Sequence, residues 1–190
     1  MTWKITLSIL IFAIAVIGGK FAYDAFLSDS ETELFQQTDW KQQNLVGISF
    51  EAPFELSESK VNLTPDLKSA ILNMETYKYT SKPMALFISK AEYDRGIPVD
   101  LDGAVKGAIN NIERNDGVSD FDYNVENIVK DSITGRRIEG KLNIKGEAAV
   151  IVAELFNKNS ILIQIMCTSL DLTENRSVID RIFNSIKLDL

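Results

Sequence analysis

The chain has 190 residues, 45 % of them apolar, with 27 acidic against 20 basic side chains and a net charge of −7. It holds no histidine and one cysteine, Cys167. These counts exclude Ser-His and Cys-His nucleophile pairs, the usual zinc sites and an internal disulfide, and the acidic balance argues against nucleic acid and against docking on anionic headgroups.

Met1-Thr2-Trp3-Lys4 precedes an uncharged apolar run from Ile5 to Ile17, and Gly18-Gly19-Lys20 closes it. A short positive start and such a run read as a secretory signal or a signal anchor. The run is shorter than the roughly 20 residues of a normal span. Phe21, Ala22, Tyr23, Ala25, Phe26 and Leu27 continue its character, Lys20 can snorkel, and Trp3 and Tyr23 can sit at the two interfaces. No A-x-A stands at the right place for cleavage, and Ile17-Gly18-Gly19 is the best small-residue ending. The first reading is therefore a retained membrane anchor over residues 3–23, with the N-terminus inside and the rest of the chain extracytoplasmic, in a periplasm or equivalent space. Secretion after signal cleavage is the alternative, and a buried core helix the third possibility. The division that follows is 1–27 signal peptide or anchor, 28–44 polar tether, and 45–190 globular domain. Residues 1–27 contain two lysines and one aspartate, so residues 28–190 carry −8.

In the domain, Ile48, Phe50 and Ala52 alternate with polar neighbours as a strand that Pro53 ends, and Phe54 and Leu56 restart a short one. Thr64-Pro65-Asp66 opens a helix with Leu67, Ala70, Ile71 and Met74 on one face. Residues 75–81 and 84–92 are β-rich. Asp100 or Asp102 caps a second helix with a stripe of Leu101, Ala104, Val105, Ala108 and Ile112, ended by Asn115-Asp116-Gly117. Then comes a meander. Phe121, Tyr123 and Val125 alternate with Asp120, Asp122 and Asn124. Turns at Thr134-Gly135, Lys145-Gly146 and Asn157-Lys158-Asn159 separate the later strands. Ile161 to Cys167 is almost continuously apolar, which places it at the centre of the sheet with both faces covered. A helix from Thr173 to Ser185 closes the chain, with Val178, Ile179, Ile182, Phe183 and Ile186 on its apolar face.

The strand Phe50 to Leu56 (FEAPFEL), the capped helix Asp100–Arg114, the meander from Gly135-Arg136-Arg137 and the ending Arg181 to Leu188 (RIFNSIKL) resemble the PsbP-like and DcrB-like extracytoplasmic domain family over about residues 45–190. The resemblance implies an α+β fold, an antiparallel sheet with helices on both faces (an α/β/α sandwich), beside the N-terminal hydrophobic helix. It also implies a binding or assembly factor rather than an enzyme. The family's manganese or calcium roles lean partly on histidines, so they are not carried over.

Candidate sites are few. Cys167 lies in the most apolar strand and reads as core. Asp120 and Asp122, with Asn124, share a strand face at spacing two and are the nearest approach to a calcium or magnesium site. No glycine-bearing calcium loop accompanies them, and a solvated strand edge is the simpler reading. Glu92-Tyr93-Asp94-Arg95-Gly96 reads as a loop held by local polar bonds. Arg136 and Arg137 are adjacent on a strand and so face opposite ways. Arg136 is a candidate anchor for an acidic partner, with a surface salt bridge as the simpler role. Phe35 and Trp40, in a polar segment, latch the tether either to the domain or to a partner. Asn62-Leu63-Thr64 and Asn175-Arg176-Ser177 match the glycosylation sequon.

The function this supports is a non-catalytic extracytoplasmic module that binds or helps assemble another envelope protein, with Phe35, Trp40 and Arg136 as contact candidates and with no cofactor or metal. A small-ligand carrier with a pocket between the sheet and a helix is the alternative. A carboxylate-dependent hydrolase is the third reading.

Overall fold

The structure is a computed structural model, and it describes residues 40–61, 70–81, 84–94, 97 and 99–190. The expected apolar N-terminal helix, most of the tether with Phe35, and the Thr64-Pro65-Asp66 helix start lie outside the described residues. In chain order the elements are β1 (Lys41–Leu45), β2 (Ile48–Ala52), β3 (Ser57–Glu58), β4 (Ile71–Thr80), β5 (Met84–Tyr93), α1 (Leu101–Glu113), β6 (Val118–Lys130), β7 (Ile133–Ile144), β8 (Glu147–Lys158), β9 (Ile161–Leu170), α2 (Thr173–Ser185) and β10 (Lys187–Leu188).

Strands β3-β4-β5-β9-β8-β7-β6 form one antiparallel sheet, and β1-β2-β10 form a second, smaller one. Strand β9 takes the central place that its continuous apolar run demands, and both β8 and β9 are buried on both faces. Successive side chains on a strand point to opposite faces, and that alternation divides the interior in two. Ile138, Leu142, Ile151, Ala153 and Leu155 pack with Ala104, Val105, Ala108, Ile109 and Ile112 of α1. On the other face Val150, Val152, Ile163, Ile165 and Cys167 pack with Ile179, Ile182 and Phe183 of α2 and with Ile48, Phe50 and Ala52 of β2. Asp100 caps α1 by accepting from the Asp102 backbone N–H at 3.1 Å. Helix α2 starts at Leu172 without a side-chain cap.

The structure corrects several expectations. Ile71 and Met74 belong to strand β4, not to a helix, because residues from Ile71 pair with β5, beginning at Ile71↔Tyr93. The short strand expected at Phe54 and Leu56 forms instead at Ser57–Glu58 against β4. The turn before β7 is not Thr134-Gly135. It falls at Asp131-Ser132, whose φ values of 48° and 67° give the left-handed pair a tight hairpin requires. Gly135 lies inside β7 and serves a close approach: a Cβ there would stand 2.6 Å from Phe156 Cδ1 and 2.7 Å from the Leu155 carbonyl oxygen. Residues 41–44, read as the end of the tether, belong with Leu45 to β1, which pairs with β2. Ile186 caps α2 in extended conformation, and the chain then adds β10 to β2.

Candidate functional site

Adjacent positions on β7 face opposite ways, and Arg136 and Arg137 show it. Arg136 reaches the N-terminal turn of α1, donating to Asp102 Oδ1 at 3.0 Å (Nε) and 2.9 Å (Nη2). Arg137 points to the α2 side, where it meets Glu139 at 2.5 Å and Glu154 at 3.0 Å, its guanidinium 5.5 Å from the centre of the Phe183 ring. Burial of this guanidinium opposes its charge, yet the hydrogen bonds and attraction from Glu139 and Glu154 prevail and hold its pKa above the ordinary arginine range. Glu154 is fully buried and also accepts from Lys130 at 2.6 Å. Lys130 in turn donates to the Phe183 carbonyl oxygen at 2.6 Å. This ion cluster fastens the last turn of α2 to the sheet.

Beside it lies an open groove of about 360 Å³. Val150 and Val152 contribute to its floor, Ile179, Arg176 and Asp180 of α2 make one wall, and Asp122 and Asn124 of β6 make the other. Arg176 binds Asp171 at 2.6 Å, and that bond holds the Asp171 carboxyl below the usual carboxylate range. The space under α1 is different. Between Phe87, Ala108, Ala153, Leu155 and Met166 only about 10 Å³ is left, the size of about one water molecule. The alanine-rich stripe lets α1 settle directly on the sheet.

Strand β6 is the edge of the large sheet and is mostly exposed, so its Phe121-Tyr123-Val125 alternation does not mark a buried face. Tyr123, Val125 and Val129 stand in solvent, and Phe121 stacks on Tyr123 with ring centres 4.9 Å apart. Asp120 and Asp122 do not share a face at regular spacing. The register slips between Ser119 and Asp122, and Asp120 takes a left-handed φ of 53°. Asp120 accepts from Asn143 at 2.7 Å and from Ser119 at 3.1 Å, while Asp122 faces the groove. Among the described residues no three acidic or cysteine side chains are grouped to hold a metal.

The remaining candidates are dispersed. Trp40 lies under Arg181 of α2, with the guanidinium 4.0 Å from the ring centre, and Arg181 also binds Glu51 at 2.9 and 3.1 Å. Trp40 and Arg136 therefore sit on opposite faces of the large sheet and form no single patch. Cys167 is fully buried, and burial pushes its thiol pKa up. Tyr93 is not a loop residue. It ends β5 with its phenol buried, without a hydrogen-bond partner among the described residues and with its pKa raised by burial. Asn175 of the second sequon is also buried, its amide donating to the Leu170 carbonyl oxygen at 3.2 Å, so it is not presented for glycosylation. Sequence reasoning missed the Glu154 cluster, whereas its reading of Asp120 and Asp122 as a solvated strand edge agrees with the edge position of β6. A glutamate inside the apolar run AAVIVAELF was the available signal for the cluster.

No protein-family model matches the chain, and no curated protein matches it. Among solved structures it is similar to the cyanobacterial PsbP protein CyanoP of Synechocystis sp. PCC 6803, with a TM-score of 0.54 and 11 % identity over 84 % of this chain and 98 % of that one. It also matches LpqN, described as involved in cell envelope biogenesis of Mycobacterium tuberculosis, with a TM-score of 0.43 and 12 % identity over 83 % of each chain. A third match is PA94 of Pseudomonas aeruginosa, a protein of unknown function and putative regulator, with a TM-score of 0.38 and 9 % identity over 70 % of this chain and 83 % of that one. At such identities the likeness is one of fold: an antiparallel sheet with α1 on one face and α2 on the other is a PsbP-like α+β fold.

Proposed function

We infer that the chain is a non-catalytic extracytoplasmic module, held at a membrane through residues 3–23, that binds another envelope protein. The observation that carries this reading is the exposed row of Tyr123, Val125 and Val129 along an edge strand of the large sheet. An apolar row on a strand edge is suited to contact with another chain. The arginines at 136, 137, 176 and 181 are all engaged in ion pairs within the domain, which gives them structural work. The apolar run Ile5–Ile17 and the −8 charge of residues 28–190 support a compact acidic domain outside the cytoplasm. The test is photo-crosslinking from position 125 of the full-length protein in its own membrane, followed by pull-down. A discrete adduct in the membrane fraction, absent when the crosslinker stands at Lys106 on α1, is the expected result. Equal adducts from both positions, or none, count against the reading.

The groove beside α2 favours a second reading, a small-ligand carrier, because about 360 Å³ lies within the range of small-molecule sites. Replacement of Asp180, the exposed α2 residue on the groove wall, by Trp would obstruct that groove and abolish carriage.

A further inference from the structure

Strand β6 ends the large sheet, and no described residue pairs with its outer side. From Asp122 to Lys130 its register with β7 is continuous, a stretch of about 30 Å. The bulge before Asp122 bends the start of the strand away, so the usable row of free N–H and C=O groups begins there. On the α1 face this stretch presents Tyr123, Val125 and Val129, which are 41 %, 38 % and 68 % exposed. On the other face, opposite Lys141 and Arg137, it presents Asp122 and Glu126. Arg137 is committed to Glu139 and Glu154. Glu126 accepts only from the Asn124 amide, and neither carboxylate forms an ion pair among the described residues.

A long, partly apolar strand edge is a template for another strand. The carboxylates decide which strand. A second copy laid antiparallel over Asp122–Lys130 sets Glu126 against Glu126, and the Lys130 that would then face Asp122 is already held by Glu154 and the Phe183 carbonyl oxygen, so the pairing costs stability, and the net charge of −7 adds repulsion between copies. Residues 28–39 of this chain have the wrong sign too, with Asp29, Glu31, Glu33 and Asp39 and no basic residue. An extended segment with Lys or Arg at alternate positions sets cations against Asp122 and Glu126. Its intervening apolar side chains then lie against Tyr123 and Val125.

We propose that β6 receives, as an added strand, an extended protein segment in which basic residues alternate with apolar ones. This names the partner chemistry of the binding role inferred above and rests on that reading.

The test uses the full-length protein in detergent solution and two synthetic nonapeptides of the same lysine and valine content, one alternating and one in blocks. The alternating peptide is expected to bind about ten-fold tighter than the block peptide and to slow amide exchange over residues 122–130. The double variant Asp122→Asn/Glu126→Gln is expected to weaken it about ten-fold while melting at the same temperature as the wild type. Equal binding of the two peptides, or binding without slowed exchange in β6, reduces the effect to charge attraction and overturns the proposal. Concentration-dependent dimers that protect β6 without peptide assign the edge to a second copy and overturn it as well. If the alternating peptide protects β6 while membrane crosslinking finds no partner, the failure belongs to the envelope-partner reading and the strand-docking chemistry stands.

Discussion

Lys130 Nζ lies 2.6 Å from Glu154 Oε2, and the glutamate is 1 % exposed. The same ammonium donates to the Phe183 carbonyl oxygen near the end of α2, where a cation also favours the helix dipole. Removing the lysine leaves a buried carboxylate with Arg137 as its remaining ion-pair partner. Lys130→Met is expected to lower stability by about 2–3 kcal/mol, less than a fully buried pair because Lys130 is partly exposed. Urea unfolding reads this as a lower midpoint at unchanged slope.

Arg181 couples Trp40 to the domain. Stacking of a guanidinium on indole contributes about 0.5–2 kcal/mol, and the two hydrogen bonds from Arg181 to Glu51 Oε2 add little at the surface. Trp40→Ala and Arg181→Ala should show a coupling of about 0.5–1 kcal/mol in a double-mutant cycle. A coupling near zero would mean that the stacking does not hold the start of β1.

Gly135→Ala is expected to destabilise the domain by about 1–3 kcal/mol, because the added methyl meets Phe156 and the Leu155 backbone from two sides. Gly146→Ala has open space but a φ of 88°, so it should cost about 1 kcal/mol through strain alone. Thermal melting of the two variants separates crowding from strain, and the larger loss belongs to Gly135.

Burial raises the pKa of both the Cys167 thiol and the Tyr93 phenol. Each group holds its proton more firmly folded than unfolded. Their contribution is therefore complete below the unfolded pKa of about 8.5 for the thiol and about 10 for the phenol, and it declines as pH rises beyond those values. Stability should be flat near pH 7–8 and fall above about pH 9. Cys167→Ala should remove the lower-pH part of that fall. Native Cys167 should resist a thiol reagent at pH 8 until urea unfolds the chain.

What the sequence disclosed follows from local chemistry. Continuous apolar runs placed β9 at the centre, the Lys145-Gly146 turn separated β7 from β8, and the apolar face of residues 173–185 predicted α2 to its final residue. What it hid depends on distant partners. Ile71 and Met74 suit a helix face by spacing, but pairing with β5 overrides it. The polar run Lys41–Leu45 is a strand only because β2 lies beside it. Gly135 looks like a turn residue until Phe156 stands across from it. The candidate surface was legible in part, since Asp120 and Asp122 point to a solvated strand edge but the Phe121-Tyr123-Val125 alternation reads like a buried face. Only the strand order exposes Tyr123 and Val125.

The placement of the domain outside the cytoplasm is tested most directly by labelling. Leu72 is 68 % exposed, and the native Cys167 is buried and adds no background. Full-length Leu72→Cys protein in spheroplasts with a sealed inner membrane should react with a membrane-impermeant maleimide before lysis and stay with the membrane on fractionation. Labelling only after lysis, or full-length protein recovered from the soluble cytosol, would contradict the account.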